Sequence, residues 1–167
     1  APELAGGKAL GLAVLKAMNF QEGFTHMEWY RKADGEVVFG EIGARPPGAF
    51  TVDLMNYASD IDLFRGFGEA IVHGRLGQEV TRRYNAISIF KRAQGQGTIR
   101  HIEGLGPLMA EFGPHIAALD LLPVGTPRRD WKQTLISDGM VIVRHADLQA
   151  ALDMADRIGM ELTMVAS

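Results

Sequence analysis

Phe24-Thr25-His26-Met27-Glu28-Trp29-Tyr30-Arg31, then Ala33-Asp34-Gly35, then Glu36-Val37-Val38-Phe39-Gly40-Glu41-Ile42, is the stretch on which the reading of this chain turns. Asp-Gly between aromatic and β-branched runs is the strongest short-range signal for an antiparallel hairpin. A two-residue loop at Asp34-Gly35 pairs Ala33 with Glu36 and, counting outward, sets Glu28 directly opposite Glu41. Like charges in that position destabilise a sheet, by about 3 kcal/mol at a separation of roughly 5 Å and an effective dielectric of about 20. A cation between them removes the penalty, and a hard ion that takes one or two carboxylates while keeping water and phosphate oxygens is Mg²⁺. Strand alternation puts His26 and Tyr30 on the Glu28 face, and Gly43 and Arg45 on the Glu41 side of the partner strand. Arg45 then offers a planar fork to a phosphate or carboxylate. The competing reading leaves both glutamates in solvent with Arg45 as a surface ion pair worth 0 to about 1 kcal/mol.

Upstream, Leu4, Ala5, Leu12 and Leu15 recur at helical spacing, so about residues 3–18 form an amphipathic helix with Asn19 as its stop. Gly6-Gly7-Lys8 lacks the remainder of a Walker loop and reads as the start of that helix. Downstream of Arg45-Pro46-Pro47-Gly48, helical positions return at Val52, Leu54 and Met55. A longer helix runs over residues 61–73, capped by Ser59 or Asp60, closed by Gly74, and with Gly66 and Gly68 packed closely on a neighbour. From Tyr84 the texture becomes short strands at residues 84–92, 97–103, 116–123 and 139–145, read as one mixed sheet. A helix over 146–158, closed by Gly159, leads to a last strand at 161–165. Gly95-Gln96-Gly97 and Gly104-Leu105-Gly106 read as turns, Arg82-Arg83 and Arg128-Arg129 as solvated pairs, and Met18, Met27, Met55, Met109, Met154 and Met160 as core filling.

The 167 residues carry seventeen Lys and Arg against twenty Asp and Glu, a formal charge of −3, with 47% apolar residues. A chain of this size buries roughly 68–70% of its unfolded surface and needs no staples. Without a basic excess, no nucleic-acid role is expected. The sequence contains no Cys, which excludes disulfides, thiolate nucleophiles and cysteine-held metals. No run approaches roughly 18 consecutive apolar residues, and Ala1-Pro2-Glu3 starts no signal peptide. The expectation is a cytoplasmic protein without a membrane partner, and a piece of a longer chain.

The two runs around Glu28 and Glu41, continuing through Ile42-Gly43-Ala44-Arg45-Pro46, resemble the metal-binding strand pair of the ATP-grasp superfamily, as in biotin carboxylase and the formyl-transferring and carboxylating purine enzymes. The resemblance implies an α+β fold: residues 1–80 as the C-terminal part of an ATP-grasp domain, with antiparallel strands and helices, and residues 81–167 as a small β-rich lobe of the biotin carboxylase type with a β-α-β ending. It implies ATP and Mg²⁺ (or Mn²⁺) as cofactors, Glu28 and Glu41 as metal ligands, and Arg45 as the catalytic contact to the reacting phosphoryl group. His26, from the face it shares with Glu28, and Gly48, from the Pro46-Pro47-Gly48 turn beside Arg45, are read as substrate neighbours, with a packing or hydrogen-bonding role the alternative for His26. Gly43 stands where many members carry an Asn that adds a metal ligand, and this leaves the number of metals open. The family's adenine strand, Gly-rich loop and nucleotide Lys precede this hairpin, so a missing N-terminal half is expected as the partner of this chain.

The implied activity is a ligase that activates a small-molecule carboxylate as an acyl phosphate for attack by an amine or similar nucleophile. A fragment of it is expected to be inactive alone. The alternative is a non-catalytic lobe for interaction or homodimerisation. Two-carboxylate glycosidase chemistry fits poorly, because directly opposed side chains are too close for the inverting geometry and a bare hairpin has no sugar cleft.

Overall fold

The computed structural model describes residues 4–167. Its contacts divide the chain into two compact units, one running through Gly48 and resuming at Asp62–Glu79, the other comprising Ala49–Ile61 and Val80–Ser167. The sequence suggested a single cut near residue 80. The difference is the helix α2 (Thr51–Ser59), which belongs with the second unit.

In the first unit, α1 (Ala5–Ala17) ends as expected at Asn19, whose φ of 50° is left-handed. Its expected start at Glu3 lies outside the described residues. The hairpin strands β1 (His26–Arg31) and β2 (Val37–Gly43) pair antiparallel. The glycines of α1 bring its backbone onto this hairpin. A Cβ at Gly7 would overlap the Trp29 ring, and one at Gly6 would sit 3.0 Å from the Val37 side chain. The start of the helix is thus a packing surface that only glycine permits.

The helix α3 (Leu63–His73) is capped by Asp62, whose carboxylate accepts from the Arg65 N–H at 3.0 Å, and closed by Gly74 at φ 65°. The expected cap at Ser59 or Asp60 is corrected: Asp60 is the left-handed C-cap of α2. The two glycines of α3 differ. A Cβ on Gly66 would press on Leu76 at 3.0 Å, whereas one on Gly68 would meet open space. Gly68→Ala should therefore raise stability by about 0.5–1 kcal/mol, seen as a higher urea midpoint, and Gly66→Ala should not share that gain.

The second unit holds two three-stranded sheets rather than one mixed sheet. Strands β3 (Asn85–Lys91), β7 (Gly139–His145) and β6 (Ile116–Leu121) form the first in the order β3-β7-β6, all antiparallel. Strands β4 (Gln94–Gly95), β8 (Thr163–Ala166) and β5 (Ile99–Glu103) form the second, with β4 parallel to β8 and β5 antiparallel to it. The unbroken apolar run at the start of β7 suits its central place, and residues 139–143 are all buried. The helix α5 (Leu148–Glu161) packs on β3 and β7, contributing Met154, Ala155 and Ile158 to a core with Val141, Val143 and Leu162. The chain ends in the expected β7-α5-β8 order, with its two strands in different sheets.

Three local expectations are corrected here. Gly159 lies inside α5, which continues to Glu161, where the carboxylate pairs with Arg157 at 2.8 Å. Gly104-Leu105-Gly106 opens a helix, α4 (Leu105–Phe112): Gly104 is left-handed at φ 78°, and Pro107 falls in the first turn, where no N–H partner is lost. Leu108 anchors that helix in the core. Of the methionines, Met140, Met154 and Met164 are buried, but Met18, Met55, Met109 and Met160 are exposed rather than core filling.

Candidate active site

Glu28 and Glu41 are register partners, reached by a route the sequence reading did not contain. The loop has three residues, Ala33-Asp34-Gly35. The Lys32 N–H donates to Glu36 O at 2.8 Å, the Gly35 N–H returns to Lys32 O at 3.0 Å, and Gly35 takes φ 90°. The Asp34 carboxylate accepts from the Glu36 N–H at 2.9 Å and holds the turn. This loop pairs Arg31 with Val37 and Trp29 with Phe39, one residue off the expected register. A bulge then shifts the register back between Glu28 and Trp29, leaving Gly40 as the extra residue. A Cβ at Gly40 would sit 3.0 Å from both the Glu28 carbonyl oxygen and the Tyr30 ring, so the bulge needs glycine.

With α1 against Trp29 and Val37, strand alternation turns Glu28 to the opposite face, and the Gly40 bulge carries its register partner Glu41 to that same face, where both are exposed. Among the described residues, neither glutamate enters an ion pair. Two opposed carboxylates without a protein cation form an incomplete electrostatic arrangement. No group of three or more His, Asp or Glu among the described residues could hold a metal ion by itself. The pair therefore fits a hard cation that takes the rest of its ligands from water and phosphate oxygens, which is how Mg²⁺ is commonly held.

His26, half-buried, lies opposite Gly43 two residues along from Glu28. Arg45 is exposed. Its side chain runs over Gly43, where a Cβ would stand 3.4 Å from Arg45 Cγ and Nε, and its Nη1 donates to the Pro46 carbonyl oxygen at 3.0 Å. The missing side chain at 43 thus gives the Arg45 stem its course. Gly48 closes the first of the two segments of the first unit, and a Cβ there would meet open space. The hairpin brings Glu28, Glu41 and His26 together, and Gly43 links Arg45 to that group, whereas the structure gives Gly48 no contact with them. The sequence signal for this bulge is Gly40, a strand-interior glycine next to the second carboxylate.

No family model matches the sequence, and no curated protein matches it. Solved structures do match the fold. The crystal structure of L-amino acid ligase from Bacillus licheniformis superposes with a TM-score of 0.79 at 16% identity, over 99% of this chain and 43% of that one. N5-carboxyaminoimidazole ribonucleotide synthetase from Thermotoga maritima gives 0.70 at 20% identity, over 96% of this chain and 42% of the other. Phosphoribosylglycinamide synthetase from Anaerococcus prevotii gives 0.72 at 14%, over 99% and 42%. This chain therefore spans less than half the length of each. No helix among the described residues is long and apolar enough to cross a membrane.

Proposed function

On a fold that is that of the C-terminal part of ATP-grasp ligases, we propose that this chain supplies the metal-holding and phosphoryl-facing side of an ATP-dependent carboxylate ligase. The observation that carries the reading is the Glu28–Glu41 pair on the open face of the hairpin. Glu28 and Glu41 would hold Mg²⁺ or Mn²⁺. The bound ion neutralises charge on the ATP phosphates and on the phosphoryl group in transfer.

Arg45 presents its remaining N–H groups to the oxygens of that phosphoryl group and of the acyl phosphate. His26 and Gly48 border the substrate carboxylate. In the reaction a carboxylate oxygen attacks the γ-phosphorus of ATP, ADP leaves, and an amine or similar nucleophile then displaces phosphate from the acyl phosphate. Residues 1–80 act as the C-terminal part of the ATP-grasp domain and residues 81–167 as its small lobe. The partner is an N-terminal half that closes the nucleotide cleft, a homodimer is compatible with the assembly, and the setting is cytoplasmic.

The test is made in the complete protein. Carboxylate-dependent ADP formation should require Mg²⁺ or Mn²⁺, and Arg45→Lys should slow acyl-phosphate formation by about ten- to a hundredfold while ATP affinity changes less than about threefold. A guanidinium fork aimed at developing charge acts mainly in the transition state, and an ammonium cannot reproduce its geometry. Lost ATP affinity at unchanged turnover would make Arg45 a ground-state nucleotide anchor, and an unaffected enzyme would return it to the surface.

A further inference from the structure

In the second unit, a cavity of about 430 Å³ opens where the end of β7 meets α4 and α5, and two histidines, His115 and His145, line it. Ile116 and Val143 are register partners at the start of β6. His145 stands two residues beyond Val143, so strand alternation gives it the face that Val141 and Val143 pack on α5. His115 closes the short 3-10 helix Gly113–His115 that leads into β6. Two imidazoles remote in sequence are thus brought together, their ring centres 4.9 Å apart and their planes inclined at 63°.

His145 is oriented by its own chain. Its Nδ1 accepts from the Asp147 N–H at 3.0 Å and stands 3.2 Å from the Asp147 carbonyl oxygen. Nδ1 therefore has a backbone partner in either tautomer, and Nε2 is the nitrogen left for a ligand. An Nδ1–H held by a backbone carbonyl is the form in which a histidine presents Nε2 to a metal. His115 meets the His145 ring, and neither of its nitrogens has a hydrogen-bond partner among the described residues. The rest of the lining is not hostile to a cation. Arg157 is spent on two carboxylates, Glu111 and Glu161, and Asp153 keeps Oδ2 free while its Oδ1 accepts from Gln149 Nε2 at 2.8 Å.

We propose that His115 and His145 form a binding site for a divalent transition-metal ion of the zinc, nickel and copper class, an ion that imidazole suits and that Mg²⁺ does not replace. An ion about 2.0–2.1 Å from one nitrogen of each ring, with an angle of about 90–110° between them, sets the ring centres roughly 4.5–5.2 Å apart. The observed spacing falls in that range. The rings meet edge to face, and a turn of the His115 ring about χ2, which no hydrogen bond opposes, brings one nitrogen of each toward a common point. No third His, Asp or Glu among the described residues completes the chelate, so water fills the remaining positions, with Asp153 as an acceptor for it. The bound ion would tie the start of β6 to the end of β7. The site uses neither ATP nor the Glu28–Glu41 pair, so its failure and that of the ligase reading are distinguishable.

Titration calorimetry of this chain with Ni²⁺, in a buffer holding Mg²⁺ in large excess to occupy any site of hard oxygen ligands, tests it. Ni²⁺ should bind one to one and saturate below about 1 mM. His115→Phe keeps a ring against His145 and removes the nitrogens, and His145→Asn offers an amide oxygen to the Asp147 N–H in place of Nδ1. Each should weaken Ni²⁺ about tenfold or more. His101→Ala, which removes an exposed histidine of the same unit that lies 2.9 Å from Glu103, should leave it within about twofold. Circular dichroism reports whether each variant folds. Wild type carries the test if neither does: substoichiometric Ni²⁺ should broaden the ring-proton resonances of His115 and His145 ahead of those of His101. No saturation at about 1 mM, a smaller loss than predicted from a folded His115→Phe or His145→Asn, an equal loss from His101→Ala, or broadening of His101 first or equally overturns the proposal.

Discussion

Glu28→Gln and Glu41→Gln, each introduced into the complete protein, are expected to lower divalent-cation-dependent ADP formation by at least about a hundredfold while the melting temperature holds or rises. Both effects come from the same geometry. The two carboxylates are register partners, exposed, and without an ion-pair partner among the described residues. Neutralising one therefore relieves repulsion in the metal-free protein and halves the charge available to a bound cation. The measurement is a paired one: steady-state ADP release across a Mg²⁺ titration, and thermal unfolding in a chelator. Turnover close to wild type in either variant would dismiss the metal-site assignment. A large loss of stability would instead mean that the glutamates support the hairpin.

Asp138→Ala should cost about 3 kcal/mol or more and lower the melting temperature of the 167-residue chain by roughly 6–12 °C. Asp138 is fully buried and accepts the Ala93 N–H at 2.8 Å and the Arg129 N–H at 2.6 Å, one on each carboxylate oxygen. Its removal strands two backbone donors, of which the Ala93 N–H is buried. Asp138→Asn keeps one acceptor oxygen but turns an NH₂ toward the other donor, so it should lie between wild type and Ala. Urea unfolding followed by near-ultraviolet circular dichroism reads the effect.

Much of the hairpin was legible because Asp34-Gly35 and the flanking β-rich runs act locally. The pairing of Glu28 with Glu41 was reached by assuming a regular two-residue loop, and the structure arrives there with a longer loop and a compensating bulge. Register alone could not separate those routes. Helical tertiary packing does: Val37 lies against Gly6, and Trp29 against Gly7. The helix α4 was hidden because Gly104, Gly106 and Pro107 are turn residues by composition, and its anchor, Leu108, is visible only as part of a core assembled from α4, β7 and α5. Asp138 was illegible for a related reason. Its partners, Ala93 and Arg129, are remote or irregular in sequence, so nothing local marks a buried carboxylate that organises a loop. Arg128 and Arg129 read as solvated charges until the loop gathered them with Lys132 around one cavity.

The Gly40 bulge divides the hairpin into two halves of different register. On the outer side, Met27 with Ile42 and His26 with Gly43 hold the pairing of the two glutamates; on the inner side, the strands run to the Ala33–Gly35 loop in their own register. A change of length at the tip is therefore absorbed before it reaches the carboxylates. Extending a flexible loop costs little, about 0.6 kcal/mol for each doubling of its length. The tip is thus the place on the first unit where an epitope, a fluorophore-binding peptide or an inserted domain can be spliced in while the spacing of the acidic pair is left as it stands.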